Sequence, residues 1–146
     1  MEERGFEIRT LEHTADVGFE VSSPAAPGLF EGAARALLSV MFEGGLPRTG
    51  RRRERLELEA PDLETLLVRW LEELIFRVQT RGAVPVRTRV RLDPAPGGWR
   101  LEAGLEEVPL AEVADRFATE VKAATYHGLV VEEADGRWRA RVILDV

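Results

Sequence analysis

The sequence contains no cysteine, which removes disulfides, thiolate nucleophiles and cysteine-ligated zinc together. Its 20 basic residues include one lysine, Lys122, and it has one tyrosine, Tyr126, and two histidines, His13 and His127. With so few imidazoles, a metal site has to be built with carboxylate oxygens. No apolar run approaches the roughly 20 residues of a membrane span, and no apolar segment of secretory type follows the charged start. Neither export nor membrane association is expected, and the cytoplasm is the expected compartment. No glycine-rich loop runs into Lys-Ser or Lys-Thr, and Ser22, Ser23 and Ser39 do not sit at a strand-to-helix elbow. Phosphate-loop and serine-hydrolase chemistry therefore have no foothold.

What is present describes a folded domain: 45% hydrophobic and 32% charged residues over a 146-residue chain, enough for one core in a single domain spanning 1–146. The net charge of −6 argues against a protein that holds nucleic acid by itself, because that affinity rests on phosphate neutralisation by a basic surface. An acidic chain suits a protein partner or a cation.

Hydrophobic periodicity divides the chain. Phe6 to Leu11 alternates as a half-buried strand, and the polar, small run from Glu12 to Gly18 reads as a turn into a second strand, Phe19 to Ser23. A helix over about Pro27 to Glu43 carries an apolar stripe that includes Phe30 and Met41, read as core and not as a ligand pocket. The basic run Arg48 to Arg55 reads as a solvated loop, with contact to a phosphate or an acidic partner as its functional alternative. The strand Leu56 to Ala60 follows.

Asp62 is placed to cap the strongest helix, in which Leu63, Leu66, Leu67, Trp70, Leu71, Leu74, Ile75 and Val78 keep helical spacing. Gly82 is expected as its C′ residue. Val86 to Leu92 and Trp99 to Glu106 read as a hairpin about Asp93–Gly98, and Leu110 to Phe117 as a short helical crossover. A last hairpin is expected from Glu120–Glu133 and Arg137–Asp145 around Asp135-Gly136. The expectation is an α+β sandwich, mostly antiparallel sheets packed with two main helices.

Two aspartates stand at chain landmarks. Asp16 lies in the small-residue turn, and Asp145 precedes Val146 and its carboxylate. Such oxygens suit Ca²⁺, Mg²⁺ or Mn²⁺; the alternative is an Asx turn at Asp16 and a solvated strand end at Asp145. The stretch Glu120-Val121-Lys122-Ala123-Ala124-Thr125-Tyr126-His127 gathers the lone lysine, the lone tyrosine and a histidine. Lysine brings a compact point charge where arginine brings a flat fork.

Four blocks resemble the archease family: His13-Thr14-Ala15-Asp16-Val17-Gly18, the helix segment Leu66 to Leu74, Glu120 to His127, and the ending Val142-Ile143-Leu144-Asp145-Val146. They fall in the family's order and span the chain. Glu72 stands where the family motif has asparagine, so no role is carried onto it. The resemblance implies an archease-like sandwich and an accessory role: a non-catalytic activator of an RtcB-type RNA ligase, promoting its GTP- and metal-dependent guanylylation and repeated turnover in tRNA splicing and RNA repair. It implies a divalent metal on Asp16, Asp145 and Val146, and partner contact through Lys122, His13, Tyr126 and His127. RNA would be met only indirectly, through the ligase. The competing classes are a small divalent-metal-dependent hydrolase using Asp16 and Asp145, and a general chaperone-like binding module.

Overall fold

The computed structural model describes residues 5–12 and 17–146. Its elements are β1 (Glu7–Glu12), β2 (Val17–Ser23), α1 (Ala26–Met41), β3 (Arg52–Ala60), α2 (Leu63–Gln79), β4 (Ala83–Ala95), β5 (Gly98–Pro109) and α3 (Leu110–Val113). A 3₁₀ turn at Ala114–Arg116 extends α3, and β6 (Ala123–Ala124), β7 (Val130–Ala134) and β8 (Arg137–Asp145) complete the chain. All pairings among the described residues are antiparallel, in two sheets. One runs β1-β2-β8-β6, with β7 also on β8; the other is β3-β5-β4. The expected α+β architecture is what the chain adopts.

Both long helices touch strands of both sheets, α1 on β2 and β4, α2 on β3, β4 and β6. That position explains why α1 is buried on most of its circumference, with Gly28, Gly32, Ala33, Ala34 and Ala36 among its buried residues. Small side chains let a helix lie close to two surfaces at once. Phe30 and Met41 are fully buried, as core residues should be. On α2, Trp70 is also fully buried, and its indole N–H donates to the Phe30 carbonyl at 2.8 Å. This ties the helices to each other while satisfying the one polar atom of a large apolar side chain. Asp62 caps α2 as expected, its carboxylate accepting the Thr65 N–H at 2.7 Å.

Several boundaries differ from the sequence reading, each for a tertiary reason. Val17 and Gly18, expected in the turn, belong to β2, where they pair with Leu144 and Ile143. A Cβ at position 18 would lie 2.7 Å from the Val142 carbonyl oxygen, so this glycine serves close strand approach. The stretch Arg52–Arg55, expected in a loop, is the first half of β3 and pairs with Glu107 to Gly104 of β5. Gly82 lies one residue beyond C′, because Thr80 is the cap. The hairpin turn between β4 and β5 is only Pro96-Gly97, the flanking residues being paired. The last hairpin closes at Asp135-Gly136 as expected, both with positive φ (55° and 75°), but the strand before it is broken: β6 has two residues and 125–129 are irregular.

One polar group lies deep between α2 and the three-stranded sheet. Arg77 donates to Glu73 at 3.0 Å and to Glu107 at 3.2 Å, and Glu107 is only 2% exposed. Removing one member of a buried charge pair leaves the other uncompensated. Arg77→Met should therefore destabilise the protein by about 3–5 kcal/mol, and adding Glu107→Leu should recover most of that stability, as read from urea denaturation midpoints.

Candidate functional site

Among the described residues, those singled out for function converge on the C-terminal end of β8. Along one edge of this strand, β2 pairs through Val17 with Leu144. Along the other, Ala123 and Ala124 pair with Asp145 and Leu144. The Lys122 N–H donates to the Asp145 carbonyl at 2.7 Å, and the Thr125 N–H and hydroxyl both donate to the Ile143 carbonyl, at 3.0 and 2.9 Å. The fold therefore brings Lys122, Asp145 and Val146 to one corner although 23 positions separate the first two. Lys122, Tyr126, His127, Asp145 and Val146 are all exposed there, Tyr126 at 60%.

His13 and Asp16 lie outside the described residues. The nearest described residues, Glu12 and Val17, are paired to each other across β1 and β2, and Val17 is also paired with Leu144, which precedes Asp145. Among the described residues, no group of three or more histidine and carboxylate side chains is gathered to hold a metal.

Two residues that sequence reasoning left without a role fasten the corner to α2. Gln79, in the last turn of α2, donates from its amide to the Val121 carbonyl at 2.8 Å and accepts the Val121 N–H at 2.9 Å. It is a surrogate strand neighbour for an otherwise unpaired residue, and Val121 beside it is fully buried. The signal was there to be read: Gln79 is the only side-chain amide in the sequence. About two turns earlier on the same helix, Glu72 accepts the Ala124 N–H. Burial drives the Glu72 carboxyl above its ordinary 4.5, and the Ala124 hydrogen bond only partly offsets this. Lys122 is thus held between two fixed main-chain points, with its side chain directed by neither.

The sequence matches the model of the Archease protein family (MTH1598/TM1083) over residues 8–146. Among curated relatives, the protein archease of Methanosarcina mazei is 33% identical over 147 residues, covering all of both chains. That of Methanopyrus kandleri is 35% identical, covering 93% of this chain and 96% of its own. The solution structure of Methanobacterium thermoautotrophicum protein 1598 superposes with a TM-score of 0.76 at 32% identity, covering 98% of this chain and 99% of the other. The crystal structure of a Thermotoga maritima archease, described as a possible chaperone, shares the fold at a TM-score of 0.63 and 22% identity, covering 94% and 96%. The two-sheet α+β sandwich is the class of fold these structures share. The chain belongs to the archease family.

The raised Glu72 carboxyl gives a test of the fastening. A proton is held more tightly in the folded state than in the unfolded one, so this contribution to stability is full below about pH 4.5 and is lost as pH rises through the folded value. Glu72→Gln keeps an oxygen for the Ala124 N–H without the charge. The variant should be more stable than the parent at pH 7, and the difference should vanish near pH 4, measured by thermal melts at both pH values.

Proposed function

We propose that this archease-family protein acts as a non-catalytic accessory to an RtcB-type RNA ligase, promoting the ligase's guanylylation and repeated turnover during tRNA splicing or RNA repair. The observation that carries this reading is the exposed corner where Lys122 and Asp145 are joined by a main-chain hydrogen bond, within two of the four family blocks. A point-like ammonium on the same exposed corner as Asp145 is suited to meeting phosphate or metal in a partner's cleft. The net charge of −6 favours encounter with a basic, RNA-binding partner, an attraction that salt weakens. In this reading Tyr126 and His127 contact the partner from the same exposed rim, and His13 from the β1–β2 connection.

The donor set at the corner fits a hard divalent cation: the Asp145 carboxylate and Val146 oxygens are exposed to solvent, and the β2–β8 register brings position 17 beside Leu144. Asp16, Asp145 and Val146 would hold Ca²⁺, Mg²⁺ or Mn²⁺. Such a cation supplies fixed positive charge and coordination positions open to oxygen ligands.

Ligation assays with RNA in excess over the cognate ligase test the proposal. The protein should raise product above one equivalent per ligase, and equal yields with and without it would overturn the reading. Lys122→Arg, which replaces a point charge by a flat fork, and Asp145→Asn, which removes a charge, should each lower the gain on the order of tenfold or more, without altering the melting temperature of the protein itself in the absence of divalent metal.

Metal binding has its own readout. Adding Ca²⁺, Mg²⁺ or Mn²⁺ to the purified protein should raise its melting temperature in a concentration-dependent manner. Asp16→Asn and Asp145→Asn should each abolish that rise; if both variants respond as the parent does, the carboxylate site is not where the cation binds.

A further inference from the structure

The outer face of the three-stranded sheet is charged in an ordered way. Across the strands, Arg53, Glu106 and Arg87 form one row and Arg55, Gly104 and Arg89 the next. Further along, Glu57, Glu102 and Arg91, then Glu59, Arg100 and Asp93, form rows in which acids balance the arginines. One end of the face is therefore basic. Its acid, Glu106, already accepts the Gly50 N–H at 3.3 Å and pairs with Arg87 at 3.4 Å. Arg53, Arg55 and Arg89 are exposed, and their guanidinium groups enter no ion pair among the described residues.

Between these arginines runs a groove of about 390 Å³, floored by Gly104 and lined by four arginines against two acids, Glu54 and Glu106. The glycine is the informative residue. Glycine in a central strand costs stability and contributes no packing, so it marks a bulge, a bend or a close approach by another group. The other two glycines in the described strands have such reasons: a Cβ at Gly18 would meet β8, and one at Gly98 would meet the Ala60 main chain. Gly104 has none. Its φ is not positive, the register through it is regular, and a Cβ there would meet nothing within 4 Å. The space it leaves opens outward, between Arg55 and Arg89.

We infer that this groove binds the phosphodiester backbone of a single RNA strand, the choice of RNA over DNA resting on the function proposed above. The walls are set about 10 Å apart, two strand spacings, and successive arginines on each wall are about 7 Å apart, which admits one extended chain with guanidinium forks on both sides. Guanidinium matches phosphate oxygens in pairs. An acidic peptide is the poorer fit. β5 is paired on both edges, so a peptide on the floor finds no main-chain partners, whereas a phosphodiester carries its charge in the backbone itself. The residues lining the groove include no aromatic side chain, so recognition is through phosphates and independent of base sequence. The overall negative charge limits affinity but does not erase a local patch, because charges beyond about 10 Å are screened at 0.1 M salt.

The test is fluorescence anisotropy with a labelled 12-nucleotide single-stranded RNA and the full-length protein, at 50 mM and 200 mM salt. The parent should bind measurably at 50 mM salt. Arg55→Glu/Arg89→Glu should weaken binding on the order of tenfold or more, and should reduce the slope of log affinity against log salt by about 0.7 for each phosphate no longer neutralised. Gly104→Leu fills the floor without changing any charge and should weaken binding as well; circular dichroism checks that both variants keep the parent fold. Arg137→Glu, on β8 of the other sheet, should leave binding unchanged. No binding by the parent at 50 mM salt, full binding by Gly104→Leu, or displacement of RNA by polyglutamate at equal charge concentration would each overturn the inference, the last in favour of an acidic protein segment.

Discussion

β8 is the constraint on which the rest of the molecule depends. A strand inside a sheet must have its main-chain groups satisfied on both edges, and β8 achieves this with three different neighbours: β2 along one edge, β7 and then β6 along the other. No single continuous partner covers the second edge. The chain leaves β8's side between Thr125 and Leu129 and returns as β7. The short β6 alone would be a weak attachment, and α2 supplies what it lacks through Gln79 and Glu72. The candidate corner is thus held by α2 and a sheet edge together, while Lys122 and Asp145 stay exposed.

That division of labour explains which parts of the structure were legible. The helix α2 was plain because its apolar residues keep the 3.6-residue period over its whole length and Asp62 stands at its start. The α+β class followed from the two helical stripes, the alternation in β1, β4 and the second half of β3, and the turn signals of the two hairpins. Less visible was β3. Arg52 to Arg55 is charged on both faces, so period-two alternation begins only at Leu56, and the pairing with β5 is imposed by tertiary structure. The opposite happens after Glu120, where local pattern points to a continuous strand that the fold interrupts. There the side chain of Gln79, 42 positions earlier than Val121, takes the place of a strand neighbour, and no local pattern announces it.

The residues of the corner were legible by type and not by position. The rarity of lysine and tyrosine drew attention to Lys122 and Tyr126, and Asp145 stood out as a carboxylate at the chain's end. That these meet depends on the β2–β8 and β6–β8 registers, which sequence periodicity alone does not fix. The supporting Glu72 and Gln79 were harder to place: on an amphipathic helix a polar residue at either position looks like any solvated one, and only the rarity of the Gln79 amide sets it apart.

The exposure of Lys122 has a practical corollary. In a protein where every other basic side chain of the Lys/Arg type is an arginine, amine-selective acylation has one side-chain target, and it stands in the middle of the corner that the fold builds. A reporter dye or a short cross-linker attached by that chemistry lands at a single defined address, the chain's α-amino group aside. The molecule therefore carries its own labelling handle, one for which no engineered cysteine is needed and whose environment is fixed on both sides by main-chain hydrogen bonds.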